Sequence, residues 1–191
     1  MQDHFHSAVA YLWSALWLYW LVTALMAKQS IRRQTYASRI IQTVPVIIAF
    51  SLLFARRTWP QWLHLRLFPK SDPALLWTGT LLTAAGVAFA IWARTWIGNN
   101  WSGTITIKDR HELIQSGPYS LVRHPIYSGL LTAFLGTALV NGEVRGLIGF
   151  LLLAVGFGAK LRMEESFMTE QFGNTYLEYK HRVKALVPFL I

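Results

Sequence analysis

Runs of apolar residues, separated by charged or turn-forming residues, occupy most of the chain up to residue 159. The first run, 7–27, is uncharged and has the ~20 residues that a helical membrane span requires. Two more runs follow at 40–55 and 73–96. Before the third, Asp72 is a suitable N-cap and Pro73 suits the first helical position. This pattern predicts three membrane-spanning helices in the first half of the chain.

The second half of the chain has a different pattern. Residues 99–123 are polar and interrupted by glycines, which places them outside the bilayer core. Two shorter apolar runs, 126–140 and 144–159, flank Asn141-Gly142-Glu143, a turn signal. Each is short for a full crossing, so we expect a tight hairpin of helices that extend past the apolar limit. From Lys160 onward the chain is charged and amphipathic, which predicts a polar tail.

Together these elements predict an all-α integral membrane protein with about five transmembrane helices. We expect one membrane domain over 1–191, with three spans in 1–97 and the loop, hairpin and tail in 98–191. Composition agrees, because 53% of the residues are hydrophobic and only 14% are charged, against about 25% in an ordinary soluble domain. The absence of cysteine excludes disulfides, thiolate metal sites and a cysteine nucleophile.

Lys and Arg are unevenly divided between the two sides that five spans create. One side receives Lys28, Arg32, Arg33, Arg39, Arg94, Lys108, Arg110, Arg123, Lys160, Arg162, Lys180, Arg182 and Lys184. The other receives Arg56, Arg57, Arg66, Lys70 and Arg145. Because cytoplasmic loops carry the excess of Lys and Arg, we predict that the N-terminus lies outside and any active site faces the cytoplasm. The membrane is then a cell inner membrane or an ER-type membrane.

A motif with candidate chemistry precedes the hairpin. Pro125 suits the first turn of a helix, which places Arg123 and His124 beside a helix N-terminus whose N–H groups and dipole attract anions. Tyr127 lies in that first turn, and Gly129 removes a side chain where another group could approach closely. The simpler alternative is a basic anchor that only ends a span.

Glu164 and Glu165, just past the last apolar run, form a second candidate. Two adjacent carboxylates at a membrane boundary are costly unless they are solvated or paired. Lys160 with Glu164, and Arg162 with Glu165, have the spacing of helical ion pairs. A solvated helix end is the simpler alternative. Because a hairpin returns the chain to its starting side, we expect the carboxylates to lie near the Arg-His pair, where both charge signs suit a zwitterionic ligand.

Aromatic residues recur through the tail at spacings of three to five, which puts several on one helical face. They are Phe167, Phe172, Tyr176 and Tyr179, followed by Arg182 and Val183. Packing against the bilayer or the helix bundle is the simpler interpretation.

These motifs together resemble a known family. The segment 117–129, GPYSLVRHPIYSG, is followed after 34 intervening residues by the two glutamates and then by FGxxYxxYxxRV at 172–183. This arrangement resembles the isoprenylcysteine carboxyl methyltransferase family, which is related to the membrane phospholipid methyltransferases. The similarity covers roughly 98–188, and the first three spans share only hydropathy with the family. An RHPxYxG motif with a downstream glutamate pair is fairly specific.

The resemblance implies a methyltransferase that uses S-adenosyl-L-methionine, releases S-adenosyl-L-homocysteine and acts on a lipophilic acceptor entering from the bilayer. An isoprenylcysteine-type carboxylate is the first expectation, and phospholipid amines and small isoprenoids or thiols stay open. The implied cofactor-binding residues are Tyr119, Arg123, His124, Pro125, Tyr127, Gly129, Glu164 and Glu165. The implied catalytic residues are Arg162, Glu165 and Arg182, and the implied acceptor contacts are Asn100, Trp101, Tyr176 and Tyr179.

Other classes fit less of the sequence. Membrane sterol reductases have a similar Arg-His-containing C-terminal region and bind a nicotinamide cofactor, but they are much longer. A small transporter or scaffold would need polar groups inside its spans, which contain almost none. The remaining histidines show no metal-ligand spacing. The net charge of +9 lies at the ends of apolar runs, which favours lipid headgroups over nucleic acid.

Overall fold

The computed structural model describes residues 2–24, 36–55, 58–69, 72–98 and 113–188. Its helices are α1 (Gln2–Ala24), α2 (Tyr36–Phe54), α3 (Pro73–Ile97), α4 (Pro125–Asn141), α5 (Val144–Phe172) and α6 (Asn174–Arg182). Short 3₁₀ turns at Gln61–His64 and Gly117–Ser120 precede α3 and α4. The predicted all-α class is confirmed for these ranges.

Three helices in the described part of the chain, α1, α3 and α5, are long and apolar enough to cross a membrane. Helix α4 and the segment Thr43–Phe54 of α2 are also apolar but shorter. Exposed apolar side chains cover these helices, including Leu21, Leu81 and Val155, which are 66%, 62% and 72% exposed. Apolar surface on this scale has to meet lipid, so the predicted integral membrane character is confirmed.

The ends of α3 and α4 lie where the sequence predicts them. The Asp72 carboxylate caps α3 by accepting from the backbone N–H groups of Ala74 and Leu75, at 2.9 and 3.3 Å. Helix α4 ends at a left-handed residue, Gly142, with a φ of 63°. Helix α5 begins two residues later, which confirms the predicted turn of the hairpin.

Helix α5 extends past its apolar run, as expected for the hairpin, and includes the first part of the charged tail. The helix continues without a break to Phe172, past the apolar limit, and Gly173, with a φ of 53°, separates it from α6. Residues 160–172 are mostly good helix formers, and no glycine interrupts them before Gly173. The glutamate pair is therefore carried on a rigid extension of the membrane helix.

Glycines let α3 and α4 pack with their backbones in contact. Gly79 and Gly86 of α3 lie against Gly136 and Gly129 of α4, respectively. A Cβ on Gly86 would stand 2.4 Å from both the Gly129 oxygen and the Ala133 nitrogen, closer than real Cβ atoms approach. Small residues permit such close crossings in membranes, where dispersion contacts rather than water exclusion drive helix association. The resulting pair fixes where α4 begins.

A buried polar contact ties α1 to this pair. Trp13 Nε1 donates to Thr137 Oγ1 at 3.0 Å, and Thr83 Oγ1 lies 3.3 Å from the same oxygen. Both threonines also donate to carbonyls one turn back in their own helices, so the hydroxyls are satisfied inside the apolar bundle.

Charged residues hold the hairpin turn at the end of the bundle remote from the Arg-His motif. Glu143, 3% exposed, accepts from Arg145 Nε at 2.6 Å and lies 3.0 Å from His64 Nδ1. Arg145 also donates to the carbonyls of Leu52 and Leu53, in the last turn of α2. Sequence reasoning counted Arg145 only as a topology charge and placed His64 only among the histidines that lack metal-ligand spacing. In the fold they anchor the turn.

Candidate functional site

A segment that follows α6 covers the N-terminus of α4. This segment, 183–187, is called the C-terminal strap. The backbone N–H groups of Arg123 and His124 donate to two successive strap carbonyls, at 2.8 and 3.0 Å. The Ser128 hydroxyl donates to a third strap carbonyl at 2.6 Å. The strap thus pairs the backbone N–H groups of the two residues that immediately precede α4.

Glu165 stands at the centre of a group of five charged or titratable residues, called the charged cluster: Arg123, His124, Glu164, Glu165 and Lys180. Its Oε1 accepts from Arg123 Nε at 2.8 Å, and its Oε2 lies 2.8 Å from Lys180 Nζ. Only 7% of Glu165 is exposed. The prediction that the hairpin brings the glutamates to the Arg-His pair is confirmed, and neither glutamate is a solvated helix end.

His124 lies between the two carboxylates. Its Nδ1 is 3.5 Å from Glu164 Oε2, and its Nε2 is 3.4 Å from Glu165 Oε1. The Tyr127 hydroxyl donates to Glu164, and the Tyr127 ring stacks on the imidazole with the planes 9° apart. Lys160 Nζ lies 5.5 Å from the centroid of the Tyr127 ring, on its face. Helices α4 and α5 thus place both charge signs around one aromatic side chain.

The charge of His124 depends on its neighbours. Burial by itself would lower the pKa of the imidazole, but hydrogen bonding to Glu164 and Glu165, and their charge, outweigh burial and raise the pKa above its usual 6.5. Because the pKa is higher in the folded than in the unfolded state, the stabilisation is fully present below 6.5. It is lost as the pH rises through the raised value.

We therefore expect the detergent-solubilised protein to unfold at progressively lower temperature as the pH rises above 6.5. The midpoint of thermal unfolding, followed by tryptophan fluorescence, measures this slope. His124→Asn should flatten it, whereas His181→Asn, on an exposed residue of α6, should leave it unchanged. An equal slope in wild type and His124→Asn would contradict the assignment.

Three predicted site tyrosines pack together beside the cluster. Tyr119, Tyr176 and Tyr179 are 7%, 2% and 2% exposed, and burial raises the pKa of each phenol, so all three stay protonated. The Tyr179 hydroxyl donates to the Tyr119 carbonyl at 2.6 Å. This bond fastens α6 to the turn at 117–120 and so supports the segment that leads into α4.

Two residues of the RHPxYxG motif are explained by packing. Pro125 is fully buried and begins α4. A Cβ on Gly129 would stand 2.6 Å from the Gly86 oxygen and 2.7 Å from the Ala90 nitrogen. The space that the missing side chain leaves is filled by α3, which gives Gly129 a packing role. Its contact with the cofactor, implied by the resemblance, stays a prediction.

The two arginines predicted to be catalytic are exposed and lie outside the charged cluster. Arg162 is exposed, and within the described residues Glu165 is paired with cluster cations and not with Arg162. Arg182 is exposed and donates to Gln115 Oε1 at 2.8 Å. Asn100 and Trp101 lie outside the described residues.

Two lysines that were not among the predicted site residues also lie at the site. Lys180 pairs with Glu165 across the Gly173 break, a contact that helical spacing cannot show. Lys160 interacts electrostatically with Glu164, as its i,i+4 spacing predicts, and the fold adds the ring of Tyr127. The i,i+4 spacing was the available signal for Lys160.

Comparison with known proteins agrees with this geometry. The family model described as phospholipid methyltransferase matches residues 74–175, more than half of the chain. The match contains almost all of α3, every residue of the charged cluster except Lys180, and the start of α6. The chain belongs to the phospholipid methyltransferase family. The resemblance to isoprenylcysteine carboxyl methyltransferases, first seen in the motifs of 117–183, is confirmed as well.

One relative of this chain is a probable protein-S-isoprenylcysteine O-methyltransferase of Oryza sativa subsp. indica. It is 32% identical over 117 residues, which cover 60% of this chain and 61% of the rice protein. The cobalt-zinc-cadmium resistance protein CzcN of Cupriavidus metallidurans is 31% identical over 151 residues, covering 78% of this chain and 62% of CzcN. The chain thus matches less than two thirds of the length of these relatives.

A solved structure shares the fold. It is the eukaryotic intramembrane Ras methyltransferase ICMT (isoprenylcysteine carboxyl methyltransferase), which superposes with a TM-score of 0.58 at 20% sequence identity. The match covers 82% of this chain and 55% of the ICMT chain. At this identity the likeness establishes the arrangement of helices and no more.

Proposed function

We propose that this chain is an S-adenosyl-L-methionine-dependent methyltransferase acting on a lipophilic acceptor at the membrane surface, with an isoprenylcysteine-type carboxylate as the first acceptor. The observation that carries the proposal is the charged cluster. In a methyltransferase family member, it joins the RHPxYxG motif of α4 to the glutamate pair of α5 around one partly buried aromatic ring.

The side chains of the cluster fit the cofactor, which carries a carboxylate, an ammonium, a sulfonium and a ribose diol. His124 Nε2 is buried, and its only named partner among the described residues, Glu165 Oε1, is at the long distance of 3.4 Å, so a cofactor carboxylate can compete for this nitrogen. Arg123 and His124 would hold the carboxylate, and Glu164 and Glu165 would accept from the ammonium or the ribose hydroxyls. The Tyr127 ring would face the sulfonium. The bound cofactor supplies a methyl group on a cationic sulfur.

Methyl transfer needs alignment of donor and acceptor more than acid–base help, so the work of the protein is positioning. The strap and the Arg123–Glu165 pair join α4, α5 and α6 into one rigid wall for this purpose. We propose that Arg162 and Arg182, exposed at the rim, steer an anionic acceptor towards the wall. We further propose that the acceptor contacts Asn100, Trp101, Tyr176 and Tyr179. Because the two tyrosines are buried, their main contribution is to support the surrounding segments.

A phospholipid amine is the second candidate acceptor, because the matching family is described by phospholipid methylation. An amine must be neutral to react, whereas a carboxylate requires no base. A small isoprenoid or thiol is compatible with the same apolar surroundings.

Calorimetry on the detergent-purified protein tests the proposal. We expect S-adenosyl-L-homocysteine to bind and NADPH, as control, not to bind. A transfer assay with radiolabelled S-adenosyl-L-methionine then compares N-acetyl-S-farnesylcysteine with phosphatidyl-N-monomethylethanolamine. Binding of NADPH without S-adenosyl-L-homocysteine would contradict the proposed function and favour a reductase.

We also propose five spans, with α2 and α4 crossing beside the three longer helices, the N-terminus outside and the charged cluster facing the cytoplasm of a cell inner membrane or an ER-type membrane. The chain has no cysteine, so one introduced cysteine is labelled alone. Trp62→Cys, 60% exposed in the loop at the far end, should react with an impermeant maleimide from outside. Leu177→Cys on α6, 40% exposed, should react only after permeabilisation. The reverse pattern would invert the topology.

A further inference from the structure

The two oxygens of the Glu165 carboxylate have different partners. Oε1 accepts from Arg123 through Nε, at 2.8 Å, and through Nη2, and it lies 3.4 Å from His124 Nε2. Oε2 lies 2.8 Å from the ammonium of Lys180. One oxygen of the carboxylate is thus occupied by a primary ammonium, the same cation that S-adenosyl-L-methionine carries on its amino-acid part.

Arg123 is firmly fixed at this carboxylate. Its guanidinium also donates to the backbone carbonyls of Lys180 and Val183, and its side chain is only 8% exposed. Displacing Arg123 would break several hydrogen bonds and leave a buried charge without its partner. A ligand that binds to Glu165 therefore leaves this pair in place.

Lys180 is held much less firmly. Its side chain is 42% exposed, and within the described residues its ammonium forms one ion pair, with Glu165. A lysine ammonium on its flexible stem can turn into solvent and be hydrated there. The backbone of Lys180 stays in place meanwhile, because its carbonyl accepts from Arg123. The ammonium can thus leave Oε2 without any unfolding of α6.

Exchange of one ammonium for another keeps the charge around Glu165 constant. A ligand ammonium that joined Lys180 at the same oxygen would bring two like charges into contact. A ligand ammonium that replaces Lys180 keeps the buried carboxylate paired, and the released lysine is hydrated at the surface. Replacement is therefore favoured over addition.

We propose that Glu165 Oε2 is the subsite for the cofactor ammonium and that Lys180 is an internal competitor for it. Lys180 fills the subsite in the free protein and turns into solvent when the cofactor binds. The inference rests on the proposed function, and it selects Glu165 over Glu164 for the ammonium. Lys180 thereby weakens cofactor binding, whereas a residue that only supports the site would strengthen it.

Removal of the competing charge tests the assignment. Calorimetry on the detergent-purified protein compares the affinity of wild type and Lys180→Met for S-adenosyl-L-homocysteine, which carries the same ammonium. The variant should bind about two- to fivefold more tightly, the range for an ion pair with one exposed partner. Lys180→Arg keeps the charge and offers two N–H groups to the carboxylate, so it should bind no more tightly than wild type. Lys184→Met, which removes the same charge from an exposed residue of the strap, should bind as wild type does.

A deaminated analogue of S-adenosyl-L-homocysteine, with hydrogen in place of the amino group, separates competition from support. This ligand leaves Lys180 on Glu165, so Lys180→Met should change its affinity by less than about twofold. That result would also show that the site of the variant is folded. A gain confined to the ligand with the amino group identifies the two ammonium groups as competitors. An equal gain for both ligands would overturn the assignment.

The two proposals fail in different ways. If wild type binds S-adenosyl-L-homocysteine and Lys180→Met binds it equally well or more weakly, the function stands and the competition is rejected. If neither protein binds it, the methyltransferase function and the competition are both contradicted. Binding by Lys180→Met alone would support both, because the lysine would then close the subsite completely in wild type.

Discussion

Gly86→Ala is expected to destabilise the protein by about 1–3 kcal/mol, the usual cost of forcing an extra methyl group into a packed core. The new Cβ would lie 2.4 Å from backbone atoms of Gly129 and Ala133, which no side-chain rotation relieves. Helices α3 and α4 must therefore separate. The separation would also weaken the contact between Thr83 and Thr137 and shift the helix that carries the RHPxYxG motif.

Gly158→Ala is the matched control for this substitution. Gly158 also lies within a helix, α5, but a Cβ there would meet nothing within 4 Å. Because alanine has a higher helix propensity than glycine, this variant should be as stable as wild type or more stable, by up to about 1 kcal/mol. Thermal unfolding of both variants in the same detergent makes the comparison. Equal losses in the two would show that the α3–α4 contact does not carry the stability assigned to it.

Glu165→Gln is expected to have the second large effect, on stability and on cofactor binding together. The carboxylate is 7% exposed and neutralises Arg123 and Lys180. Removing one partner of a buried ion pair leaves the other charge uncompensated, which costs about 3–5 kcal/mol. Because Lys180 is partly exposed, the lower half of this range is expected. Affinity for S-adenosyl-L-homocysteine should fall at least about tenfold, as for the loss of one charge-assisted hydrogen bond.

Glu178→Gln serves as control, since Glu178 is exposed on α6 and the substitution is chemically identical. It should leave both the unfolding midpoint and the affinity for S-adenosyl-L-homocysteine unchanged. If Glu165→Gln matches this control in stability, then the charged cluster is not a structural joint. If it loses stability but keeps full affinity, the cofactor is bound elsewhere.

Local signals were sufficient for the helices and their ends. The length of the apolar runs predicted the membrane helices. The start of α3 was predicted from Asp72-Pro73, and the hairpin turn was predicted from Asn141-Gly142-Glu143. The expectation that a hairpin helix extends past the apolar limit is confirmed for α5, but the loss of hydrophobicity at Lys160 says little about where that helix ends. Gly173 was the better signal for that boundary.

The pairing partners could not be obtained in the same way. Helical spacing offered Arg162 for Glu165, but the partners of this carboxylate in the fold are Arg123, His124 and Lys180. The first two approach because the hairpin closes, and Lys180 because the chain turns at Gly173. Similarly, the sequence indicated a close approach at Gly129 but not that α3 is the element that approaches.

By itself, the sequence determined that this is a helical membrane protein, that a hairpin follows a basic motif, and that the motif and the glutamate pair meet on one side. These features depend on hydropathy and on turn residues, which act within a few residues along the chain. Only the tertiary structure decided which charges neutralise one another, which glycines are packing surfaces, and that Lys160 lies over the ring of Tyr127. Such features depend on contacts between segments far apart in sequence, and no local pattern encodes their distances.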